Sequence, residues 1–230
     1  MVNLKKENHF YHCHEKCLFS FINGLKERDH HNNHREVIFR KGETIFKQGT
    51  FISKLIFIKK GLIKTCVEGS NGKDLIVKIY RSGEHLGLTG VYGRNESKFT
   101  AIALKETQIC MVEINYFKKA LETDIGLNQK FLELCINEHN FLFYRLNILG
   151  TKNLHGRLAD ALIYLSQEPF AQENVYENLT RKELAELSAM SVESMIRLLN
   201  EFKNDKIITT NGKSIEINNI DLINILSKSC

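Results

Sequence analysis

Residues 180–217 read TRKELAELSAMSVESMIRLLNEFKNDKIITTNGKSIEI and contain the strongest structural motif of the chain. Thr180 and Glu183 have the spacing of a capping box, in which each side chain satisfies a backbone N–H at the start of a helix. A turn is predicted at 188–190, after which Ser191 can cap a second helix. Two short helices joined by a three-residue turn are typical of a helix-turn-helix.

A β-hairpin is predicted directly after these helices. The Asn-Gly pair at 211–212 is a strong hairpin-turn signal between short apolar strands at 207–209 and 214–217. Lys213 lies at the tip of this hairpin. The combination predicts a winged helix-turn-helix, and the alternative is a small helical hairpin with a structural ribbon.

The second helix, which we expect to end near Phe202, has two chemically different faces. One face carries Val192, Met195, Leu199 and Phe202, and the other carries Glu193, Arg197, Asn200 and Glu201. Arg197 can bond a guanine with two parallel hydrogen bonds, and Glu193 can accept one from cytosine N4. The alternative is a surface ion pair between them, which contributes only a few tenths of a kcal/mol.

The region before residue 115 predicts an antiparallel β-roll or jelly roll. Nine of the 14 glycines lie between positions 42 and 93, and they separate short apolar runs. Many short strands with glycine-containing turns are typical of this architecture. The predicted strands lie at 37–39, 55–58, 62–66, 75–80, 100–104 and 109–114.

A long helix is predicted at 116–150, because residues 115–149 contain no proline and one glycine. Apolar positions recur there at alternating spacings of three and four, as in a heptad seam. The stripe comprises Leu132, Cys135, His139, Leu142, Leu146 and Leu149. It predicts either a dimerisation helix, which we favour, or a helix packed on its own barrel.

We therefore expect an α+β protein with four segments. The predicted divisions are an N-terminal arm at 1–20, a β-roll sensor domain at 21–115, a dimerisation helix at 116–150 and a winged-helix domain at 151–230. A hinge at 150–153, a helix at 154–167 and a polar loop at 168–178 are expected within or beside them.

Composition excludes several classes of protein. The 230 residues are 43% hydrophobic and 26% charged, as in ordinary folded domains, and no apolar run has the length of a membrane helix or signal peptide. We expect a cytoplasmic protein without membrane contact. Net charge is −2 over residues 151–230 and +7 over residues 1–150, so the prediction of DNA binding rests on local pattern.

These motifs resemble the Crp/Fnr family of bacterial transcription regulators. The resemblance is carried by KGETIFKQG at 41–49, IKKGLIK at 58–64, SGEHLG at 82–87 and the helix-turn-helix, where Glu193-Ser194-Met195-Ile196-Arg197 matches the recognition-helix motif. It implies a homodimer that binds a pseudo-palindromic operator with a TGA-like core and contacts RNA polymerase, through loops at 68–74 and 168–178. The predicted DNA-binding residues are Thr180, Arg181, Ser191, Val192, Glu193, Ser194, Ile196, Arg197 and Lys213.

The same resemblance places an effector pocket in the roll, but it argues against cyclic AMP. Leu88 stands where cyclic AMP binders carry a ribose-binding glutamate, and Phe99 stands nearest their phosphate-binding arginine. A buried phosphate needs a paired cation. The predicted pocket residues are Gly83, Glu84, Leu86, Gly87, Leu88, Lys98, Phe99 and Thr100.

The N-terminal arm contains cysteine and histidine residues that could bind a metal. Six of the nine histidines lie in the first 34 residues, and Cys13, His14 and Cys17 are the candidate ligands for zinc or an iron–sulfur cluster. The resemblance to Fnr would require four cluster ligands, and Cys110 lies about two residues from the fourth position. The cofactor is therefore unknown from sequence, and a structural metal is not our main prediction.

We predict a DNA-binding regulator rather than an enzyme, and we expect no catalytic residues. One alternative is a ligand-sensing or protein-interaction module without DNA function. The other is a metal- or thiol-dependent enzyme that uses the N-terminal cysteine and histidine cluster. The effector, the direction of regulation and the target genes are not encoded in any motif that we find.

Overall fold

The computed structural model describes residues 17–21, 34–69, 72–93, 96–167, 170 and 173–229. The first part is a β-roll preceded by a 3-10 turn, Leu18–Phe21. Its strands are β1 His34–Phe39, β2 Thr44–Phe46, β3 Lys54–Lys60, β4 Leu62–Val67, β5 Leu75–Arg81, β6 His85–Leu86, β7 Thr100–Ala103 and β8 Thr107–Glu113. A short helix, α1 (Thr89–Tyr92), follows β6.

The roll consists of two antiparallel four-stranded sheets. One has the strand order β1-β8-β3-β6, and the other has the order β2-β7-β4-β5. β3 and β4 are joined at Gly61, which has φ +112° and lies so close to Thr107 that a Cβ would clash with it. Glycine is therefore required at this crossing between the sheets. The six predicted strands are present, and β2 and β6 are additional.

The helical segment after the roll differs from its prediction. The interval 116–150 is not one helix, because α2 (Ile114–Thr123) ends and α3 (Ile125–Thr151) begins on either side of Asp124. The Asp124 backbone is extended, and its carboxylate accepts a hydrogen bond from the Leu127 N–H at 2.9 Å. An aspartate at this position is a strong N-cap, so it starts a new helix.

The C-terminal part is a winged helix-turn-helix with the predicted order of elements. Its helices are α4 Leu154–Ser166, α5 Val175–Asn178, α6 Arg181–Leu187, α7 Val192–Asn204 and α8 Ile220–Leu226, and its wing is β9 Ile208–Asn211 with β10 Ser214–Ile217. Thr180 and Glu183 form the predicted capping box of α6. Ser191 caps α7 by accepting from the Ser194 N–H at 3.1 Å.

The largest hydrophobic core joins the roll to the winged helix. Leu62, Ile76 and Ile79 of β4 and β5 belong to the same buried cluster as Leu187 of α6 and Met195 of α7. Two further clusters fill the roll and the side of it that packs on α2 and α3. The domain boundaries remain predictions, but this shared core means that the two halves are not packed independently.

None of the helices in the described ranges is long and apolar enough to cross a membrane.

Candidate nucleic-acid interface and sensor cavity

Helix α7 presents a polar face to solvent above a buried apolar face. Met195, Leu198 and Phe202 point into the core, while Ile196 and Arg197 are exposed. A helix that is anchored by its apolar side and capped at its N-terminus is the element that enters the major groove in this motif. Glu193, Ile196 and Arg197 are exposed on this face, and their assignment as base-facing positions stays a prediction.

Arg197 is held loosely on this face. Its Nη1 lies 3.6 Å from Glu201 Oε2, one turn further along, and 63% of its side chain is exposed. The ion pair expected as the alternative for Arg197 is thus made with Glu201 instead of Glu193. Glu201 also accepts from His155 Nε2 at 2.9 Å. Exposed pairs of this kind contribute little free energy, so Arg197 is available to a base.

Glu193 is ionised and faces solvent. Its own backbone N–H and the Ser191 hydroxyl lower the pKa of the Glu193 carboxyl below its ordinary value. The carboxylate can therefore accept a hydrogen bond from a cytosine amino group at neutral pH. Ser194 donates its N–H to the Ser191 cap, and Val192 is half-buried, so both shape the helix start.

The wing and the start of α6 meet at Arg181. Its guanidinium donates to Gly212 O at 2.9 Å and to Lys213 O at 3.4 Å. Thr180 is committed to the capping box through Glu183. Lys213 is exposed at the hairpin tip, as predicted.

A cavity of about 520 Å³, which we call the sensor cavity, lies where three parts of the chain meet. Such a volume is typical of small-molecule sites. It is bounded by the roll, by the middle of α3 and by the end of α4. Its lining residues include Lys78, Arg81, Gly83, Glu84, His85, Leu88, Leu134, Asn137, Glu138, Phe141, Tyr144, Tyr164, Gln167 and Phe170.

One wall of the sensor cavity is an ion network. Lys78 Nζ lies 3.0 Å from Glu84 Oε1 and 2.5 Å from Glu138 Oε1, and the Tyr80 hydroxyl donates to Glu138 Oε2 at 2.8 Å. Burial, together with the charge of Glu138, raises the pKa of the Tyr80 hydroxyl well above its ordinary value. The positive charge of Lys78 is therefore already neutralised by two carboxylates.

The predicted pocket residues separate into two groups. Gly83, Glu84 and Leu88 line the sensor cavity, whereas Leu86 and Gly87 are buried and are not among its lining residues. Lys98, Phe99 and Thr100 lie elsewhere: Lys98 pairs with Glu96 at 3.1 Å, Phe99 packs on Phe46, and Thr100 accepts from the Gln48 N–H. The pocket assignment as a whole stays a prediction.

Sequence reasoning missed the cavity residues contributed by the helices. The one sequence signal for the cavity itself was Lys78 in the roll, a charged residue inside the apolar run of β5. Glu138 and Phe141 lie on α3 one turn apart, on a different side from the predicted stripe. Tyr164 and Phe170 gave no signal, because their role depends on how the winged helix packs on the roll.

The predicted stripe on α3 faces solvent over much of its length. Leu132, Leu142 and Leu146 are each at least half-exposed, whereas Cys135 and Leu149 are partly buried. The His139 ring meets the Phe143 ring edge to face, with centroids 4.7 Å apart. Ile136 and Phe143 extend the same surface. The buried side of α3 packs on the chain through Phe131, Arg145 and Ile148.

The proposed metal ligands lie mostly outside the described residues. Cys13 and His14 are among those not described, and Cys17 is buried against the roll. Cys110 is also buried, with its Sγ 2.6 Å from His34 Nε2. Within the described ranges no three histidine, cysteine or acidic side chains form a metal-binding group, so these residues alone do not supply a cluster's four ligands.

Several polar contacts connect the roll to the C-terminal part of the chain, and three residues make the most buried ones. Lys64 of β4 pairs with Glu183 at 2.9 Å and Glu186 at 3.8 Å. Arg145 of α3 donates to Leu187 O at 2.6 Å and to a β5 carbonyl at 3.1 Å. The Tyr164 hydroxyl donates to another β5 carbonyl at 2.9 Å.

Comparison with known proteins agrees with this architecture. Residues 36–124 match the model of the cyclic nucleotide-binding domain, and residues 156–223 match the model of the Crp-like helix-turn-helix domain. The chain belongs to the Crp/Fnr family of transcription regulators. It is thus a DNA-binding regulator with a cyclic-nucleotide-binding-like domain, which confirms the predicted class of function.

Relatives in the Crp/Fnr family span most of the chain. Electron transport regulator A of Shewanella oneidensis is 26% identical over 94% of this chain and 90% of its own length. The fumarate and nitrate reduction regulatory protein of Vibrio cholerae is 27% identical over 80% of this chain and 75% of its own.

Solved structures show the same fold. FixK2 from Bradyrhizobium japonicum superimposes with a TM-score of 0.75 at 17% identity, covering 86% of this chain and 98% of that one. A CRP/FNR-family transcriptional regulator from Thermus thermophilus has a TM-score of 0.70 at 20% identity, covering 85% of this chain and 99% of that one.

Proposed function

We propose that this regulator acts as a homodimer that reads a pseudo-palindromic operator, one half-site per winged helix, in the bacterial cytoplasm. The observation that supports this most directly is the outward face of α7, where Glu193, Ile196 and Arg197 are exposed at the N-terminal half of a buried, capped helix. Its action is regulatory rather than enzymatic, and RNA polymerase is the partner by family analogy.

The expected half-site has a TGA-like core. Arg197 reads the guanine, and Glu193 accepts from the paired cytosine. Ile196 has no hydrogen-bonding group at its tip, but it can contact a thymine methyl group and so favours thymine at a neighbouring step.

The second copy would cover the exposed stripe of α3. An uncovered apolar surface of this length marks an interaction site, and spacings of three and four fit a coiled-coil seam between identical helices. A symmetric dimer also gives two recognition helices, which a two-fold operator requires.

The signal would enter at the sensor cavity. Its walls come from the roll, the dimer helix and the winged helix, so a ligand bound there contacts every part that must move. We do not expect cyclic AMP to be the signal, because Leu88 lacks the carboxylate that binds the ribose in cyclic AMP binders and Phe99 lacks the cation that pairs with the phosphate.

Selection of binding sites from random duplex DNA tests this function. The purified full chain should enrich an inverted repeat with TGA-like half-sites about one helical turn apart. A sequence-independent pool, or a single unrepeated half-site, would contradict the proposal. Light scattering on the same sample reports whether the protein that selects DNA is a dimer.

A further inference from the structure

The tip of the wing is a tight turn with little packing of its own. Among the turn residues only Gly212 has a positive φ, +58°, which is the pattern of a type II′ turn. Residues 211–214 are exposed, and a Cβ on Gly212 would meet nothing within 4 Å. A two-stranded hairpin is marginally stable by itself, so the tip needs an external contact to hold one position.

The base of the wing is anchored separately. Ile208 and Ile215 are buried in the core, and the Thr209 and Asn218 side chains are hydrogen-bonded at 2.8 Å. These contacts fix where the hairpin leaves the domain. They do not reach the turn at Gly212 and Lys213.

Within the described residues, Arg181 is the side chain outside the hairpin that bonds the turn. Its two terminal nitrogens donate to the adjacent carbonyls of Gly212 and Lys213, 31 and 32 residues along the chain. The planar fork of a guanidinium suits two neighbouring acceptors, which an ammonium group cannot engage in the same fixed geometry.

The position of Arg181 in its own helix also needs an explanation. It is the first residue of α6, where a positive charge opposes the helix dipole and is unfavourable for the helix. Its contacts across to the wing provide that explanation, because they connect the start of the helix-turn-helix to the hairpin tip.

We propose that Arg181 is a positioning residue for DNA binding, which holds the wing tip so that Lys213 meets a phosphate. This rests on the proposed DNA-binding function and changes the predicted role of Arg181 from a DNA contact to a support. Without Arg181, Lys213 would keep its charge but lose its fixed position, and the phosphate contact would weaken.

A double-mutant cycle separates support from direct contact. Arg181→Ala, Lys213→Ala and the double variant are titrated with the selected operator at several salt concentrations. Each single variant should reduce the slope of log affinity against log salt by about 0.9, the value for one phosphate. The double variant should show no further reduction. A reduction of about 1.8 in the double variant would overturn the proposal, because it would mean two independent phosphate contacts.

Arg181→Lys is the matched control for charge. If Arg181 supports the wing, the lysine variant should bind DNA as weakly as Arg181→Ala, since it lacks the fork. If it retains most of the wild-type affinity, Arg181 is a simple phosphate contact and the proposal is wrong.

Hydrogen exchange without DNA keeps this test separate from the proposed function. Arg181→Ala should speed amide exchange in the 208–217 peptide several-fold and leave α7 unchanged, whether or not the chain selects any DNA. Unchanged exchange at the wing would overturn the support role. Failure of the wild-type chain to select DNA would instead contradict the proposed function.

Discussion

Arg197 shows how one exposed side chain can determine base preference. Its described partner is Glu201 at 3.6 Å, a weak surface pair, so little free energy is lost when the guanidinium turns to a guanine. We predict that Arg197→Ala costs about 1–3 kcal/mol on the specific site and relaxes the preference at that guanine. Competition titrations with operators changed at the guanine measure both effects.

Lys203→Ala is the control for this experiment, because Lys203 is an exposed cation near the other end of the same helix. It should leave base preference unchanged. If Arg197→Ala selects the wild-type motif with undiminished affinity, the recognition helix has been assigned wrongly.

Leu88 and Phe99 are the two residues on which the prediction about cyclic AMP binding depends. Leu88 lines the sensor cavity without a polar group, and the Phe99 ring packs on Phe46 with centroids 5.6 Å apart. A buried phosphate without a paired cation costs several kcal/mol, so we predict no cyclic AMP binding at micromolar concentration. Titration calorimetry on the full chain checks this, and a micromolar Kd would refute it.

At the scale of elements, helix α3 carries the dimer hypothesis. Leu142 and Leu146 are 50% and 65% exposed, and aspartates there would place two like charges in each copy's apolar seam. We predict that Leu142→Asp with Leu146→Asp gives monomers that lose operator binding. Light scattering at micromolar concentration is the measurement.

The matched control places the same charges on another side of α3. Asn140→Asp with Asn147→Asp changes exposed polar positions that lie away from the stripe, so this variant should remain dimeric. A wild-type chain that is a stable monomer, or a control that dissociates as readily as the leucine variant, would count against the stripe as the interface.

The elements that sequence predicted well are those whose signals are local. The capping box at Thr180 and the cap at Ser191 each depend on residues within a few positions, and the structure contains both. The wing turn is also present, but its central residues are Gly212 and Lys213, one position later than the predicted Asn-Gly pair, because Asn211 belongs to β9. The break at Asp124 had an equally local signal, but the lack of proline and the single glycine over 115–149 favoured one continuous helix. β6 has only two residues, His85 and Leu86, too few to show a period.

At the scale of the whole molecule, the contact between β4 and α6 depends on charge. Burial raises the pKa of the Glu186 carboxyl above its ordinary value, and the Lys64 charge offsets this only in part. Burial would also raise the pKa of Glu183, but the Thr180 backbone N–H and Lys64 together lower it. The two carboxylates beside one lysine therefore have opposite effects on stability.

The opposite shifts predict opposite pH dependences. Glu183 stabilises the fold at pH values above the ordinary carboxyl pKa, and this stability is lost as the pH falls through the lowered pKa of Glu183. Glu186 stabilises the fold at pH values below the ordinary pKa, and this stability is lost as the pH rises through the raised pKa of Glu186. At pH 7 we expect Glu183→Gln to lose about 1 kcal/mol, since the capping box is also weakened, and Glu186→Gln to lose nothing or gain.

Urea unfolding between about pH 4 and pH 7, at one protein concentration, measures the difference. The stability gap between wild type and Glu183→Gln should shrink towards acid pH. The free energy of unfolding of Glu186→Gln, relative to wild type, should increase as the pH rises. Identical pH profiles for the two variants would show that Lys64 does not distinguish the carboxylates.

Sequence could not predict these contacts between domains, because their members are far apart in the chain. Lys64 on β4 reads as an ordinary solvent-facing residue of a strand, and Arg145 interrupts an otherwise apolar part of α3 without a visible partner. Both are nearly fully buried in the structure. The core that joins the roll to the winged helix requires the docking of two domains, which no local period encodes.

That shared core leads to a prediction about cooperativity. Arg145 is buried where α3, β5 and α6 meet, and its guanidinium donates to Ile76 O in the roll and Leu187 O in the helix-turn-helix. Burial lowers the pKa of Arg145 without neutralising it, since the ordinary value is so high. Each such bond to a charged donor contributes about 1.5–3 kcal/mol, and removing the donor leaves two buried carbonyls unsatisfied.

We predict that the wild-type chain unfolds in one calorimetric transition, whereas Arg145→Met unfolds on the order of 10 °C lower, because a chain of this size loses about 2–4 °C per kcal/mol. The transition should also become broader, since the roll and the winged helix have lost one of the buried polar contacts that connect them. Asn140→Met, an exposed change on the same helix, should melt as wild type does. Two separate wild-type transitions, or an unchanged Tm in Arg145→Met, would mean that the domains are stable independently and that Arg145 does not couple them.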